Sequence, residues 1–121
     1  MEPSVGLKRY DLEARTLQFT RDVISFVSAL PRSIANIEII KQLIRATGSV
    51  GANYIEANES VSRKDFLLRV KISKKESREA IYWLELVQCS NEQCEVRRRE
   101  LIREATELMK ILGSIVEKSS R

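Results

Sequence analysis

An all-α protein, an up-down-up-down antiparallel four-helix bundle, is what three observations predict for this 121-residue sequence. Only four glycines and two prolines interrupt the chain, so long stretches lack the residues that punctuate hairpins. Apolar side chains recur at three- and four-residue spacing through four segments, the period that gathers them on one helix face. Those segments run to about 20 to 27 residues, or about 30 to 40 Å, and the connections between them are short, so their ends match without long crossovers. With 43% hydrophobic and 31% charged residues, residues 1–121 fit one soluble domain with enough apolar side chains for a core.

The first helix is expected from about Asp11 to Leu30. Leu12, Thr16, Phe19, Val23, Phe26 and Leu30 form its seam, and Leu17, Ile24 and Val27 lie alongside and widen it. Pro31 cannot continue the helix without losing a hydrogen bond, so the chain turns there. The second helix spans about Asn36 to Asn58, with Asn36 as N-cap. Asn58-Glu59-Ser60-Val61 reads as a turn, and Ser62-Arg63-Lys64-Asp65 has the S-x-x-D form of a helix start, in which hydroxyl and carboxylate satisfy orphan backbone N–H groups. The third helix follows over about 63–89. Ser90-Asn91-Glu92-Gln93 is a second start signal and opens the fourth, over about 91–118. Cys94, Leu101, Ala105, Leu108, Leu112 and Ile115 form its seam, flanked by Ile102, Met109 and Val116.

The second helix carries a small and polar stripe beside its apolar one. Gln42, Ala46, Ser49, Asn53 and Glu56 recur at spacings of four, three, four and three and share a face. Ile39, Ile40, Leu43, Thr47, Val50 and Tyr54 occupy the neighbouring, core-facing one. The small residues invite close approach of another helix, and the amide and carboxylate require partners. Asn53 is therefore expected to be inaccessible and hydrogen-bonded, with Arg45 and Glu76 or Glu79 as its candidate partners.

The third helix has more apolar surface than one seam consumes. Phe66, Val70, Ser73, Ser77, Ala80, Leu84 and Val87 make the first seam, with a small centre. Leu68, Ile72, Trp83 and Leu86 project about 120 degrees away. This second group either broadens the packing inside the bundle or, with Trp83 as anchor, forms a subunit interface. Glu76 and Glu79 fall on the same face. Two such carboxylates suit acid–base or dimetal chemistry, but bundle metal sites also use histidine and this chain has none. The reading taken is a structural one, with a carboxylate paired to Arg45, Gln42 or Asn53. No catalytic residue, metal or cofactor is assigned, and the protein is read as non-enzymatic.

Charge is distributed unevenly. From Ser60 to Ala80 there are seven Lys/Arg against three Asp/Glu, so the whole net charge of +4 sits on the third helix. Lys64, Lys71, Lys75 and Arg78 fall on one stripe opposite the first seam, and Tyr82 continues it. Such a stripe is either a solvated helix face or a surface that tracks phosphates. Arg97, Arg98 and Arg99 add cations on the fourth helix, offset by Glu92, Glu95 and Glu100. No zinc finger, RRM-like aromatic motif or Gly-rich phosphate loop is present, so sequence-specific base reading finds no support.

No segment approaches the roughly 18 to 20 uncharged apolar residues of a membrane span. The N-terminal MEPSVGLKRYD has no apolar core of a signal peptide, which leads to an expectation of a cytoplasmic protein without a membrane partner. Cys89 and Cys94 are the only cysteines. Their spacing admits a disulfide or half of a metal site, but two thiols make a poor zinc set. They are read as reduced residues at a helix junction.

The segment QLIRATGSVGANYIEANESVSRKDFLLRVKISKKESREAIYWLELV resembles the four-helix-bundle family of proteins encoded by intervening sequences within bacterial 23S rRNA genes. An Arg-x2-Gly-Ser-Val-Gly-Ala-Asn-Tyr core, a Lys-Asp-Phe helix start and Lys-Glu-x2-Glu-x3-Trp-Leu-Glu-Leu carry the resemblance over Gln42 to Val87. The first and last helices match in length and pattern only. Where the family's more frequent form ends the second helix in Ala-Glu-Gly, Ile55-Glu56-Ala57-Asn58 stands here. The resemblance implies a bundle that assembles with itself into a ring, commonly a homopentamer, with no enzymatic activity established. It also implies similarity in fold to the accessory variability proteins of diversity-generating retroelements, basic pentameric rings that work with a reverse transcriptase and nucleic acid. The expected function is therefore a non-enzymatic oligomer that binds RNA or DNA through its basic face. The alternatives are a retroelement accessory protein partnering a reverse transcriptase and a purely structural protein-interaction module.

Overall fold

The computed structural model describes residues 9–120, and these form four helices: α1 (Arg9–Ser28), α2 (Ile34–Asn58), α3 (Arg63–Leu86) and α4 (Glu92–Ser119). Each helix packs on its chain neighbours, and α1 closes the circuit against α4. Side-chain links show that every adjacent pair is antiparallel. Along α1 and α2, Asn58 donates to Glu13 while Thr20 donates to the Thr47 carbonyl. Along α1 and α4, Arg15 holds Glu104 while Asp22 faces Arg97. Along α3 and α4, Arg63 donates to the Ser119 carbonyl while Arg98 reaches the Leu84 carbonyl.

The α1 seam is buried along its length, from Leu12 and Thr16 through Phe19, Val23 and Phe26 to Leu30. Leu43, Thr47, Val50 and Tyr54 of α2 meet it, with Val70, Ala80 and Leu84 of α3 and Leu101, Ala105, Leu108 and Leu112 of α4. Leu17 and Ile24 depart from expectation. They are 53% and 46% exposed, because α1 touches only α2 and α4 and its seam already fills that contact. Small residues at the α2–α3 contact bring the two backbones close. The buried Ser73 Oγ donates to the Val50 carbonyl at 2.6 Å, and Ala46, Ser77 and Ala80 have no exposed surface.

The helix starts show which polar groups won the capping positions. Ser62 caps α3 by accepting from the Asp65 N–H, and Asn91 caps α4 by accepting from the Cys94 N–H. At α2 the cap is Ser33, whose hydroxyl accepts from the Asn36 N–H, so Asn36 is not the cap. Asn36 is instead fully buried. Its Nδ2 donates to the Pro31 and Gln88 carbonyls, both at 2.9 Å, and its Oδ1 accepts from the Gln88 N–H at 2.8 Å. One amide thus joins the α1–α2 turn to the α3–α4 turn.

The α3–α4 turn corrects the reading of the cysteines. Cys89 and Cys94 form a disulfide that links the turn to the first turn of α4. Helix α3 stops at Leu86, earlier than expected, and its extended C-cap Val87 swings the chain out. That departure brings Cys89 back onto Cys94, with Cα atoms 5.5 Å apart, a separation a disulfide spans readily. Arg98 reinforces the turn by donating to the Leu84, Glu85 and Val87 carbonyls, which α3 leaves unpaired at its end.

Candidate nucleic-acid interface

Helix α3 positions the basic residues. Spacings of seven, four, three and four from Lys64 through Lys71, Lys75 and Arg78 to Tyr82 keep them on one face, along about 27 Å of helix axis. All five side chains are exposed, Tyr82 at 59%. Its ring lies edge-on to Trp83, with centroids 5.0 Å apart. Among the described residues none of the four cations is within ion-pairing distance of a carboxylate. Several neighbouring arginines are committed: Arg69 to Asn53, Arg63 to the Ser119 carbonyl, Arg97 to Glu100 and Asp22, Arg98 to the α3 carbonyls, and Arg99 to Glu92.

Packing adds one cation that the helical-wheel reading omitted. Lys74 sits on the α4 side of the stripe, its stem against Gly113, where a Cβ would lie 3.5 Å from the lysine Cε. With Lys71, Lys75 and Arg78 it rims a groove of about 480 Å³ whose floor is Met109 and Val116 of α4. In sequence the signal was available: Met109 and Val116 were placed as flanks of the α4 seam, and Lys74 follows Lys71 by three. Only the α3–α4 contact joins them.

The polar stripe of α2 lies against α3 but divides into two clusters. Arg45 donates to Glu79 at 3.4 Å and sits 3.9 Å from Glu76. Glu76 is buried, and its Oε1 has no hydrogen-bond partner. Asn53 is half-buried; its Nδ2 donates to the Ser49 carbonyl and hydroxyl, both at 2.9 Å, and its Oδ1 accepts from Arg69 at 3.1 Å. Neither Glu76, Glu79 nor Arg45 is its partner. Gln42 and Glu56 are exposed. Residue numbers paired across this antiparallel contact add to between 121 and 124, as in Asn36–Gln88, Arg45–Glu76, Arg45–Glu79, Val50–Ser73 and Asn53–Arg69. That register sets Asn53 opposite Arg69, nearly three turns from Glu79 along α3, which no single-helix pattern reveals.

The second group on α3 is incompletely covered. Leu68 is 54% exposed and Leu86 43%, while Ile72 and Trp83 are half-buried. Another uncovered apolar surface lies around the neighbouring edge of α2. Leu17 and Ile24 of α1 and Ile37, Ile44 and Ile55 of α2 are between 37% and 53% exposed and flank the α1–α2 groove. An opening of about 260 Å³ between the end of α1 and the start of α4 is lined by Phe26, Asn91, Cys94 and Arg97, among others. Among the described residues no group of three or more metal-ligating side chains gathers, and no helix is long and apolar enough to cross a membrane.

Fold and surface together define a class: an antiparallel four-helix bundle with one unpaired cationic helix face and two uncovered apolar strips. The chain belongs to the 23S rRNA-intervening sequence protein family, whose profile matches residues 8–114. Among solved structures, it is similar to a protein of unknown function from the S23 ribosomal protein family of Bacteroides thetaiotaomicron VPI-5482. The two are 30% identical with a TM-score of 0.78, over 92% of this chain and 99% of the other. No protein of curated function matches the sequence significantly.

Proposed function

We propose that the protein is a non-enzymatic homo-oligomer that binds nucleic acid through the α3 stripe. The observation that carries the reading is the set of four exposed cations, Lys64, Lys71, Lys75 and Arg78, none held in an ion pair among the described residues. On an ordinary solvated helix, such charges are usually interleaved with carboxylates at three- and four-residue spacing. Here Glu79, four residues after Lys75, turns instead to Arg45 of α2, as does the buried Glu76. The resulting uncompensated stripe suits a polyanion backbone, which binds by releasing condensed counterions.

Assembly supports the same reading through the two apolar strips. A ring needs a heterologous contact between two different patches on each subunit, whereas a two-fold dimer uses one patch twice. The Leu68–Trp83–Leu86 strip and the α1–α2 isoleucine strip are different and lie on adjacent sides of the bundle. Their outward directions therefore differ, so each successive subunit is turned relative to the last, and a ring forms where that rotation closes. Helix α2, shared by both sides, then faces the ring axis, and the basic stripe repeats around the outside. Repetition multiplies weak phosphate contacts through effective concentration.

Nucleic-acid binding measured at two salt concentrations tests the proposal. Affinity is expected to fall steeply with salt, and changing Lys64, Lys71, Lys75 and Arg78 together to Gln is expected to flatten the log–log slope by about three to four. The fold should survive, because all four side chains are exposed; Leu68 lies four residues from Lys64 and three from Lys71, so the stripe borders one apolar strip and light scattering on the variant checks that assembly is retained. Absence of binding to any nucleic acid at low salt, or binding unchanged by the quadruple substitution, would overturn it.

A further inference from the structure

The geometry points to the α3–α4 groove as a seat for unpaired bases, so that the protein prefers single-stranded over duplex nucleic acid. This inference rests on the proposed nucleic-acid reading and adds to it the substrate class.

The groove combines two chemistries that duplex recognition does not need together. Its rim is Lys71, Lys74, Lys75 and Arg78, and its floor is Met109 and Val116. No carboxylate lines it. A duplex offers phosphates to the rim but keeps the faces of its bases stacked inside, leaving the floor exposed to water. A single strand offers the same phosphates and can also turn a base onto the floor, removing apolar surface from water on both sides. The groove's volume of about 480 Å³ is ample for a base with its sugar. Lys74 is central to this arrangement. Its Cδ, Cε and Nζ all lie against α4 at Gly113, so the aliphatic stem adds apolar surface beside the floor while the ammonium stays at the rim.

The same groove has the general character of a seat for an acidic amphipathic helix. Two features favour a nucleic-acid strand. The cationic track continues beyond the groove to Lys64 at one end of α3, farther than the two-residue floor requires. At the other end stands Tyr82, 59% exposed, offering a ring face to a second base in line with the track.

Fluorescence anisotropy with the full chain provides the test. The probes are a labelled oligothymidine or oligouridine strand and a duplex with the same number of phosphates, compared at one salt concentration. Wild type is expected to bind the strand about tenfold more tightly than the duplex. The double variant Met109→Gln/Val116→Gln is expected to lose that preference while keeping its duplex affinity, and Lys74→Gln to weaken both. Met109 and Val116 are only half-buried, and circular dichroism verifies that the variant is folded. Should the double variant fail to fold, Lys74→Gln together with Tyr82→Ala gives a second reading, with a larger expected loss for the strand than for the duplex. Equal binding of strand and duplex by wild type, or a ratio unchanged by the floor substitutions, would overturn this inference while leaving the proposed function standing. Binding of neither would overturn both, as would displacement-free binding of an acidic amphipathic peptide in place of any nucleic acid.

Discussion

Asn36 is the residue on which most of the upper end of the bundle converges. It reads as a helix cap in sequence because it stands near the start of an apolar-periodic segment, and Asn is a good cap. Ser33 takes that role three residues earlier, freeing the amide to bind across the structure. Three hydrogen bonds inside a fully buried site make substitution costly, since truncation leaves the Gln88 N–H and two carbonyls without partners. Asn36→Leu is expected to lower stability by about 1 to 3 kcal/mol. Asn36→Asp should do nearly as badly, because it keeps the acceptor for Gln88 but places a carboxylate against two carbonyl oxygens. Urea denaturation of the two variants beside wild type measures this; a Leu variant of unchanged midpoint would show that the amide contributes nothing net.

At the scale of elements, two devices hold neighbouring helices in register. The Cys89–Cys94 disulfide closes a short loop at the start of α4. Loop-closure entropy assigns it about 2 kcal/mol. Cys89→Ser/Cys94→Ser, or a reductant, is expected to lower the denaturation midpoint accordingly without unfolding the protein, because Arg98 still grips the three carbonyls at the end of α3. Between α1 and α4, Arg15 donates to both oxygens of Glu104, at 2.7 and 2.8 Å, and to Glu107 at 2.8 Å. The hydrogen bond from Arg15 and then its charge lower the Glu107 pKa, and Glu104 followed by Glu107 raises that of Arg15. A carboxylate whose folded pKa lies below its unfolded value stabilises the fold above that unfolded value, and the contribution is lost as pH falls through the folded one. Arg15 remains charged throughout. Arg15→Met is therefore expected to lower stability modestly at neutral pH, as the Arg15–Glu104 pair is one-third exposed and partly screened by solvent, and progressively less in acid as Glu107 protonates. Thermal midpoints of variant and wild type across pH 7 to 3 measure it; a constant gap would mean the loss is one of packing, not charge.

For the whole molecule, the prediction concerns size in solution. Light scattering at micromolar concentration is expected to give several times the 13.9 kDa chain mass, with about five chains the favoured number. Trp83→Ala and Ile44→Glu are each expected to shift the distribution toward one chain, since they strike different strips of the same heterologous contact. Trp83 is half-buried against the core and Ile44 is 37% exposed, so a urea midpoint for each variant separates lost monomer stability from lost assembly. A wild-type mass of one chain would defeat the assembly reading.

The sequence by itself determined the four helices, their order and the seams they bury, because the apolar period, Pro31 and the start signals at Ser62–Asp65 and Ser90–Gln93 are local signals; that Asn91 is the cap of the second is shown by the structure. It also determined that the charge surplus sits on α3 and that its cations share a face. What it left undecided were pairings between elements. Asn53 meets Arg69 and not Glu79, Lys74 joins Met109 and Val116 in one groove, and Leu17 and Ile24 face outward. Each depends on the antiparallel register and on which two neighbours a helix has. The disulfide belongs to the same group, since C-x4-C alone fits several chemistries until the path of the turn brings the two sulfurs together. A periodic pattern specifies which way a side chain points from its own helix axis, and only packing decides what stands there to meet it.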